Sequence, residues 1–150
     1  MSDLDVQQTT VAGVTLHKLP EVSDPRGSLS VGEFGRTVPF MVSRYFLVYG
    51  VPEDGVRGDH AHFRCHQFLI AAKGTIHVTA DDGVNKEEFV LDKANMGIHI
   101  PPMTWGSQYQ YSSDAVLLVL ASDYYDNEDY VTSYEEFLAH VKLRTEGGGA

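Results

Sequence analysis

The chain has 150 residues, 43% hydrophobic and 21% charged, the balance of one globular domain with a single core. Eleven Lys and Arg against 21 Asp and Glu give a net charge of −10, which excludes a general nucleic-acid binder, since phosphate affinity comes from clustered cations. No apolar run approaches the ~20 residues of a membrane span, Met1-Ser-Asp-Leu-Asp5 has neither a basic nor an apolar leader character, and the lone Cys65 can form no internal disulfide. These features predict a cytoplasmic protein that binds neither membranes nor nucleic acid.

In chain order, Val11 to Leu19 mixes β-branched and polar residues and predicts one or two short strands. Asp24-Pro-Arg-Gly27 is a turn, because proline fixes φ and glycine is free to take positive φ. Ser28 to Phe34 alternates, and Phe40 to Tyr49 predicts a strong strand rich in Val, Phe and Tyr. After a turn at Val51-Pro-Glu-Asp-Gly55, His66 to Lys73 and Thr75 to Ala80 pair around Gly74. Asp81-Asp-Gly83 is a tight hairpin turn, followed by strands at Glu87 to Leu91 and Gly97 to Ile100. Val116 to Ala121 is a continuous apolar run, which predicts a strand buried on both faces. Ser133 caps the one helix, beginning near Glu135. Residues 1–145 are expected to form one domain and 146–150 a disordered tail. Many short strands and a lone terminal helix make an all-β sandwich or barrel, and the pattern alone leaves a jelly roll and an immunoglobulin-like sandwich both open.

The segment Arg57-Gly-Asp-His60-Ala-His62-Phe-Arg-Cys-His66-Gln67, followed by Gly74, is the most informative. His60 and His62 are two apart, so on a strand they share a face. The spacing is similar to the first cupin signature, and Gly97-Ile-His-Ile-Pro101-Pro-Met-Thr-Trp105-Gly106 is similar to the second. The ligand set differs: Gln67 stands where metal cupins carry glutamate, and Gly106 where they carry a third histidine. Two neutral imidazoles and an amide make a poor metal site, so no metal and no cofactor are expected and the histidines are assigned acid–base work. His66 shares parity with His62 but is expected to pack or face solvent beyond the site. His99 is a candidate for the barrel interior.

Three further pieces make a specific resemblance: Arg-Gly-x-His-Ala-His at 57–62, Trp-Gly-x-Gln-Tyr at 105–109 and Ala-Ser-Asp-Tyr-Tyr at 121–125. Over residues 10 to 140 the chain resembles the sugar 3,4-ketoisomerases, also grouped as WxcM-like proteins, which are jelly-roll cupins and usually strand-exchanged dimers. The resemblance implies an all-β cupin-type jelly-roll barrel with a short C-terminal helix, a homodimer, and a dTDP-4-keto-6-deoxyhexose substrate whose keto group moves from C4 to C3. The product would enter the synthesis of 3-amino-3,6-dideoxy sugars.

Such a reaction needs a base near neutral pH, and histidine titrates there. His62 is assigned as main base and His60 as its partner on the oxygens, although spacing alone does not order them. Arg57 or Gln67 is expected to stabilise the enediolate oxygen. Arg26, Arg44 and Arg57 are the candidate diphosphate clamps that an acidic protein needs for an anionic substrate; an internal salt bridge is the ordinary alternative for Arg44. Trp105 and Tyr109 are candidates for stacking on the base or the sugar, against ordinary core packing. Asp123, Tyr124, Tyr125 and Tyr130 are expected to be structural. The rival functions are a dTDP-sugar 3,5-epimerase, a non-catalytic sugar-nucleotide-binding cupin and a metal dioxygenase.

Overall fold

The structure is a computed structural model that describes residues 5–148, with side chains through 145. Thirteen strands run β1 (Val6–Gln8), β2 (Thr15–Lys18), β3 (Glu21–Asp24), β4 (Gly27–Ser30), β5 (Arg44–Tyr49), β6 (Arg57–His62), β7 (Gln67–Lys73), β8 (Ile76–Asp81), β9 (Lys86–Leu91), β10 (Met96–Ile100), β11 (Trp105–Tyr109), β12 (Val116–Ala121) and β13 (Tyr130–Val131). Helix α1 (Tyr134–Gly148) follows. Six strands form one sheet in the order β1-β2-β10-β7-β12-β5, and five form the other in the order β13-β6-β11-β8-β9. Every pairing between these strands is antiparallel.

Strand alternation puts one side-chain row of each sheet inward, and the two rows interdigitate as the core of a cupin-type jelly roll. Leu69, Ala71, Ile98, Ile100, Leu117 and Val119 come from the larger sheet and meet Ile76, Val78, Ala80, Phe89 and Leu91 from the smaller. The strand order settles the choice of all-β architecture in favour of the jelly roll, since β5, β6, β7 and β8 and then β9, β10, β11 and β12 alternate between the two sheets. Gly74, at φ 76°, closes the β7–β8 turn in a space where a Cβ would stand 2.8 Å from the Ala115 backbone. The hairpin at Asp82 follows the expected turn chemistry: its carboxylate accepts from the Val84 and Asn85 amides at 2.8 Å each, and Gly83 takes φ 93°.

The outer face of the six-stranded sheet is also covered. Phe68, Ile70 and Leu120 pack there under Val38, Phe40 and Val42. Phe40 to Ser43 was expected to be strand. It instead crosses this face as irregular chain, and β5 begins only at Arg44. The apolar residues that suggested a strand are there to cover Phe68. The same cover buries Leu120 from outside while Val119 faces the core, so β12 has apolar contacts on both sides as its sequence suggested. The alternation at 28–34 ends as a strand at Ser30.

Four strands were not anticipated: β1, the β3 arm of the hairpin around Asp24-Pro-Arg-Gly27, the two-residue β13, and β11, whose Trp-Gly-Ser-Gln-Tyr composition carries little strand signal. Ser133 caps α1 as expected, with its Oγ accepting from the Glu136 amide at 3.3 Å and its carbonyl from the Phe137 amide at 2.9 Å. Phe137 is fully buried against Ala61, Met103 and Val131 on the outside of the five-stranded sheet. The segment 146–148, expected to be disordered, continues the helix as far as Gly148, while Gly149 and Ala150 lie outside the described residues.

Candidate active site

At one end of the barrel the close of β6, the start of β7, the close of β10 and the start of β11 converge on a small recessed pocket. It is lined by His60, His62, Cys65, Gln67, Thr104 and Gln108, among others. The i, i+2 spacing on β6 does what it implies: both imidazoles point inward and touch, Nε2 to Nε2, at 3.1 Å. His62 is buried and His60 half-buried. Tyr130 on β13 is paired with His62 in the ladder, and its ring lies 4.4 Å from that of His62 and 5.0 Å from that of His60, centroid to centroid. Tyr130, expected to be structural, packs its ring against both histidines and is not among the residues that line the pocket.

The residue the sequence reading missed is Asp129. It is buried and ends a short 3-10 turn (Asn127–Asp129). One of its oxygens accepts from the Arg64 amide at 2.8 Å; the other lies 3.0 Å from His62 Nδ1 and 3.2 Å from the Cys65 amide. Burial lowers the His62 pKa to about 4, aided by the charge of His60 and opposed by Asp129. Burial also lowers that of His60, offset by the Gly58 carbonyl and Asp59. His62, Cys65 and Asp129 bring three potential metal donors within 4.8 Å of one another. Both Asp129 oxygens are already engaged in the hydrogen bonds above, which makes the trio a bonded frame for His62.

Arg57 reaches the site side through a bulge. Between His60 and Gly58 the β6–β11 register slips, with Gly106 opposite His60 and Gln108 opposite Arg57. Asp59, at φ 46°, is the extra residue. Paired residues share a face, so Arg57 stands on the same side as Gln108 and the histidines, at the exposed rim. Arg44 opens β5. It makes no salt bridge among the described residues; its Nε donates to the Asp123 carbonyl at 2.9 Å and its guanidinium lies between the Phe46 and Tyr125 rings at 5.5 and 5.7 Å. Its charge lowers the proton affinity of both pocket histidines.

The remaining candidates lie elsewhere. Arg26 is at the tip of the β3–β4 hairpin, 91% exposed and paired with Asp24 at 2.6 Å, outside the residues that line the pocket. Trp105 and Tyr109 stand on the outer face of the five-stranded sheet. Trp105 packs on Tyr134 and Phe137 of α1, and the Tyr109 hydroxyl bonds Thr79 and Glu88. Strand parity explains this: Gly106 and Gln108 face inward, so 105 and 109 must face out. Gln108, in the same motif, is the inward group that the aromatic signal obscured.

His66 and His99 also fall outside the pocket. With His17 they form a second imidazole group on the outer face of the larger sheet, with His66 Nδ1 and His99 Nε2 at 2.9 Å and Phe40 tilted over both rings. His17 is buried, at 5% exposed. Burial lowers the pKa of His17, and that of His99 to about 4, from the usual 6.5. The unfolded chain therefore binds more protons than the folded one between 6.5 and about 4, so this contribution to stability is complete above 6.5 and lost as pH falls. At pH 5 a ring held near 4 has lost about 2 kcal/mol of it. Urea midpoints measured at pH 7.5 and 5.0 are expected to fall at the lower pH, and less so in His99→Phe.

The fold and site define a class: a jelly-roll cupin whose barrel mouth carries a paired-imidazole site with a buried carboxylate behind it. Residues 12–142 match the family model described as FdtA, WxcM-like, C-terminal, and the chain belongs to that family. It is 36% identical over 130 residues to the TDP-4-oxo-6-deoxy-alpha-D-glucose-3,4-oxoisomerase of Aneurinibacillus thermoaerophilus, covering 85% of this chain and 94% of that one. Among solved structures, a mutant 3,4-ketoisomerase from Thermoanaerobacterium thermosaccharolyticum in complex with TDP-4-keto-6-deoxyglucose superposes with a TM-score of 0.87 at 30% identity, covering 90% of this chain and 98% of that one. The TDP-quinovose 3,4-ketoisomerase of Campylobacter jejuni gives 0.82 at 34%, covering 86% and 99%.

Proposed function

We propose that the protein is an isomerase that moves the keto group of a dTDP-4-keto-6-deoxyhexose from C4 to C3 through an enediol, with His60 and His62 transferring the protons. The observation that carries this is the Nε2-to-Nε2 contact of the two imidazoles in the barrel mouth of a chain from this family. The C4 carbonyl acidifies the C3 hydrogen, and a positioned imidazole removes it. Its neighbour serves the oxygens, and the Gln67 and Gln108 amides supply hydrogen bonds to the enediol. Arg44 and Arg57 at the rim supply charge for the diphosphate. Trp105 and Tyr109, on the other side of the sheet, have no part in this site. The product presents a C3 carbonyl suited to amination, and the enzyme works in the cytoplasm.

The working form is a homodimer. The outward row of edge strand β5, Tyr45, Leu47 and Tyr49, is 66%, 47% and 71% exposed. Val22 and Leu29, opposite each other on the β3–β4 hairpin, are 64% and 60% exposed. An apolar row on an open sheet edge, together with the exposed apolar pair of the hairpin, fits a second copy of the chain. Light scattering is expected to give twice the 16.6 kDa of the chain, and Leu47→Lys to shift it towards the monomer.

The function is tested by incubating chelator-treated protein with dTDP-4-keto-6-deoxyglucose and locating the carbonyl by carbon NMR. A carbonyl at C3 supports the reading. Inversion at C5 identifies a 3,5-epimerase, and binding without turnover a sensor module. Activity lost on chelation and restored by iron or zinc contradicts histidine acid–base catalysis.

A further inference from the structure

Each pocket imidazole has one nitrogen held by a group that only accepts. The Gly58 carbonyl lies 2.8 Å from His60 Nδ1, and the Asp129 carboxylate 3.0 Å from His62 Nδ1. Both Nδ1 atoms therefore carry hydrogens. In two neutral rings both Nε2 atoms would then be bare lone pairs, set against each other at 3.1 Å. One added proton turns that repulsion into a hydrogen bond. The alternative with the same proton count places the proton on Asp129. It is disfavoured because that carboxylate also accepts from the Arg64 and Cys65 amides and lies 3.7 Å from the Arg64 guanidinium.

We infer that His60 and His62 hold a single proton shared between their Nε2 atoms, and that Asp129 is the positioning residue that sustains this state by fixing His62 Nδ1–H and balancing the charge. The use of that proton in turnover rests on the ketoisomerase reading; the protonation state itself does not. The charges bearing on the pair are Asp129 from the 3-10 turn, Asp59 from β6, Arg44 from β5 and, behind Asp129, Arg64 from the β6–β7 connection. The two acids favour the added proton and the two arginines oppose it. Burial and Arg44 oppose the first proton as well as a second; the facing Nε2 lone pairs, Asp129 and Asp59 hold the first, and its charge adds to burial in excluding a second. The two rings titrate as one unit.

This state closes the proton count of the reaction. In the first half, one imidazole takes the C3 proton, the C–H electron pair forms the C3=C4 bond, and the stored proton passes to the C4 oxygen. In the second half, the C3 hydroxyl proton returns to the pair, the C3 carbonyl forms, and C4 receives a proton. The pair begins and ends each half with one proton.

The test is NMR of the protein labelled with 15N-histidine, from pH 5 to 9, with kcat and KM measured over the same range. Two protonated Nδ1 atoms and one proton shared by the Nε2 atoms are expected near neutrality. In Asp129→Asn the shared proton should be lost about one pH unit lower, because the carboxylate that favours it is gone. The alkaline limb of kcat should move down with it, with kcat at pH 7.5 about tenfold lower, KM within twofold and partial recovery in Asp129→Glu. Wild-type protein with an Nε2–H tautomer on a neutral ring or with two bare Nε2 atoms overturns the inference, and this reading needs no variant to fold. An Asp129→Asn protein with the wild-type nitrogen pattern and pH profile reduces Asp129 to a structural role and overturns that half. The expected spectrum in a protein that does not isomerise the sugar sinks the ketoisomerase reading alone.

Discussion

Replacing His62 with asparagine is expected to lower kcat by about 10²–10⁴-fold, the range associated with losing one positioned general base. The side chain sits where its loss is felt in chemistry: one nitrogen faces the pocket and His60, and the other is fixed by Asp129. Asparagine keeps a polar group of similar reach at Asp129, so KM should change only a few-fold while kcat and kcat/KM fall together. His60→Asn should cost a similar amount, because the proton count needs both rings. Steady-state kinetics with a coupled or NMR assay decides this. A loss confined to KM would make the pair a binding element.

The largest effect on stability is expected at Phe68. Its side chain is fully buried between the outer face of the six-stranded sheet and the 38–42 segment, with the His17 ring edge-on at 5.3 Å. Gly97, on the neighbouring strand β10, leaves the space the ring occupies: a Cβ there would meet Phe68 Cε1 at 2.0 Å and Cζ at 2.2 Å. Phe68→Ala should therefore cost about 3–5 kcal/mol, from lost burial plus the cavity left behind. For a domain of this size each kcal/mol is worth about 2–4 °C in Tm. Gly97→Val should also destabilise, since the ring has no room to withdraw under Val38 and Phe40. The two sites are in contact, so the Phe68→Ala, Gly97→Ala pair should lose less than the sum of its singles. Thermal melts of the four proteins test this. Additive losses would show that ring and glycine are not packed as described.

What the sequence revealed and what it hid divide along physical lines. His60 and His62 were legible because strand periodicity acts at a distance of two residues, and the same rule places Gln67 inward with Leu69 and His66 outward with Phe68. Val116 to Ala121 was legible because a strand covered on both sides needs no polar alternation. Three things depended on long-range geometry. Asp129 meets His62 across 67 residues, and its only local trace is an acid just before the short β13 strand. The bulge at Asp59 changes the side on which Arg57 stands, and a non-glycine residue at positive φ leaves no clear mark in sequence. Trp105 and Tyr109 drew attention as aromatics, yet alternation within β11, had it been recognised as a strand, assigns them to the helix side and Gln108 to the pocket. The helical cover over Trp105 and the outer-face cover over Phe68 are tertiary facts that composition cannot anticipate.

Turnover in deuterium oxide probes the transfer of hydrogen between neighbouring ring carbons most directly. Two imidazoles exchanging with solvent should leave deuterium on C4 of a product whose carbonyl has moved to C3, with C5 unlabelled. Deuterium at C5 in a sugar that still carries its carbonyl at C4 would contradict the account.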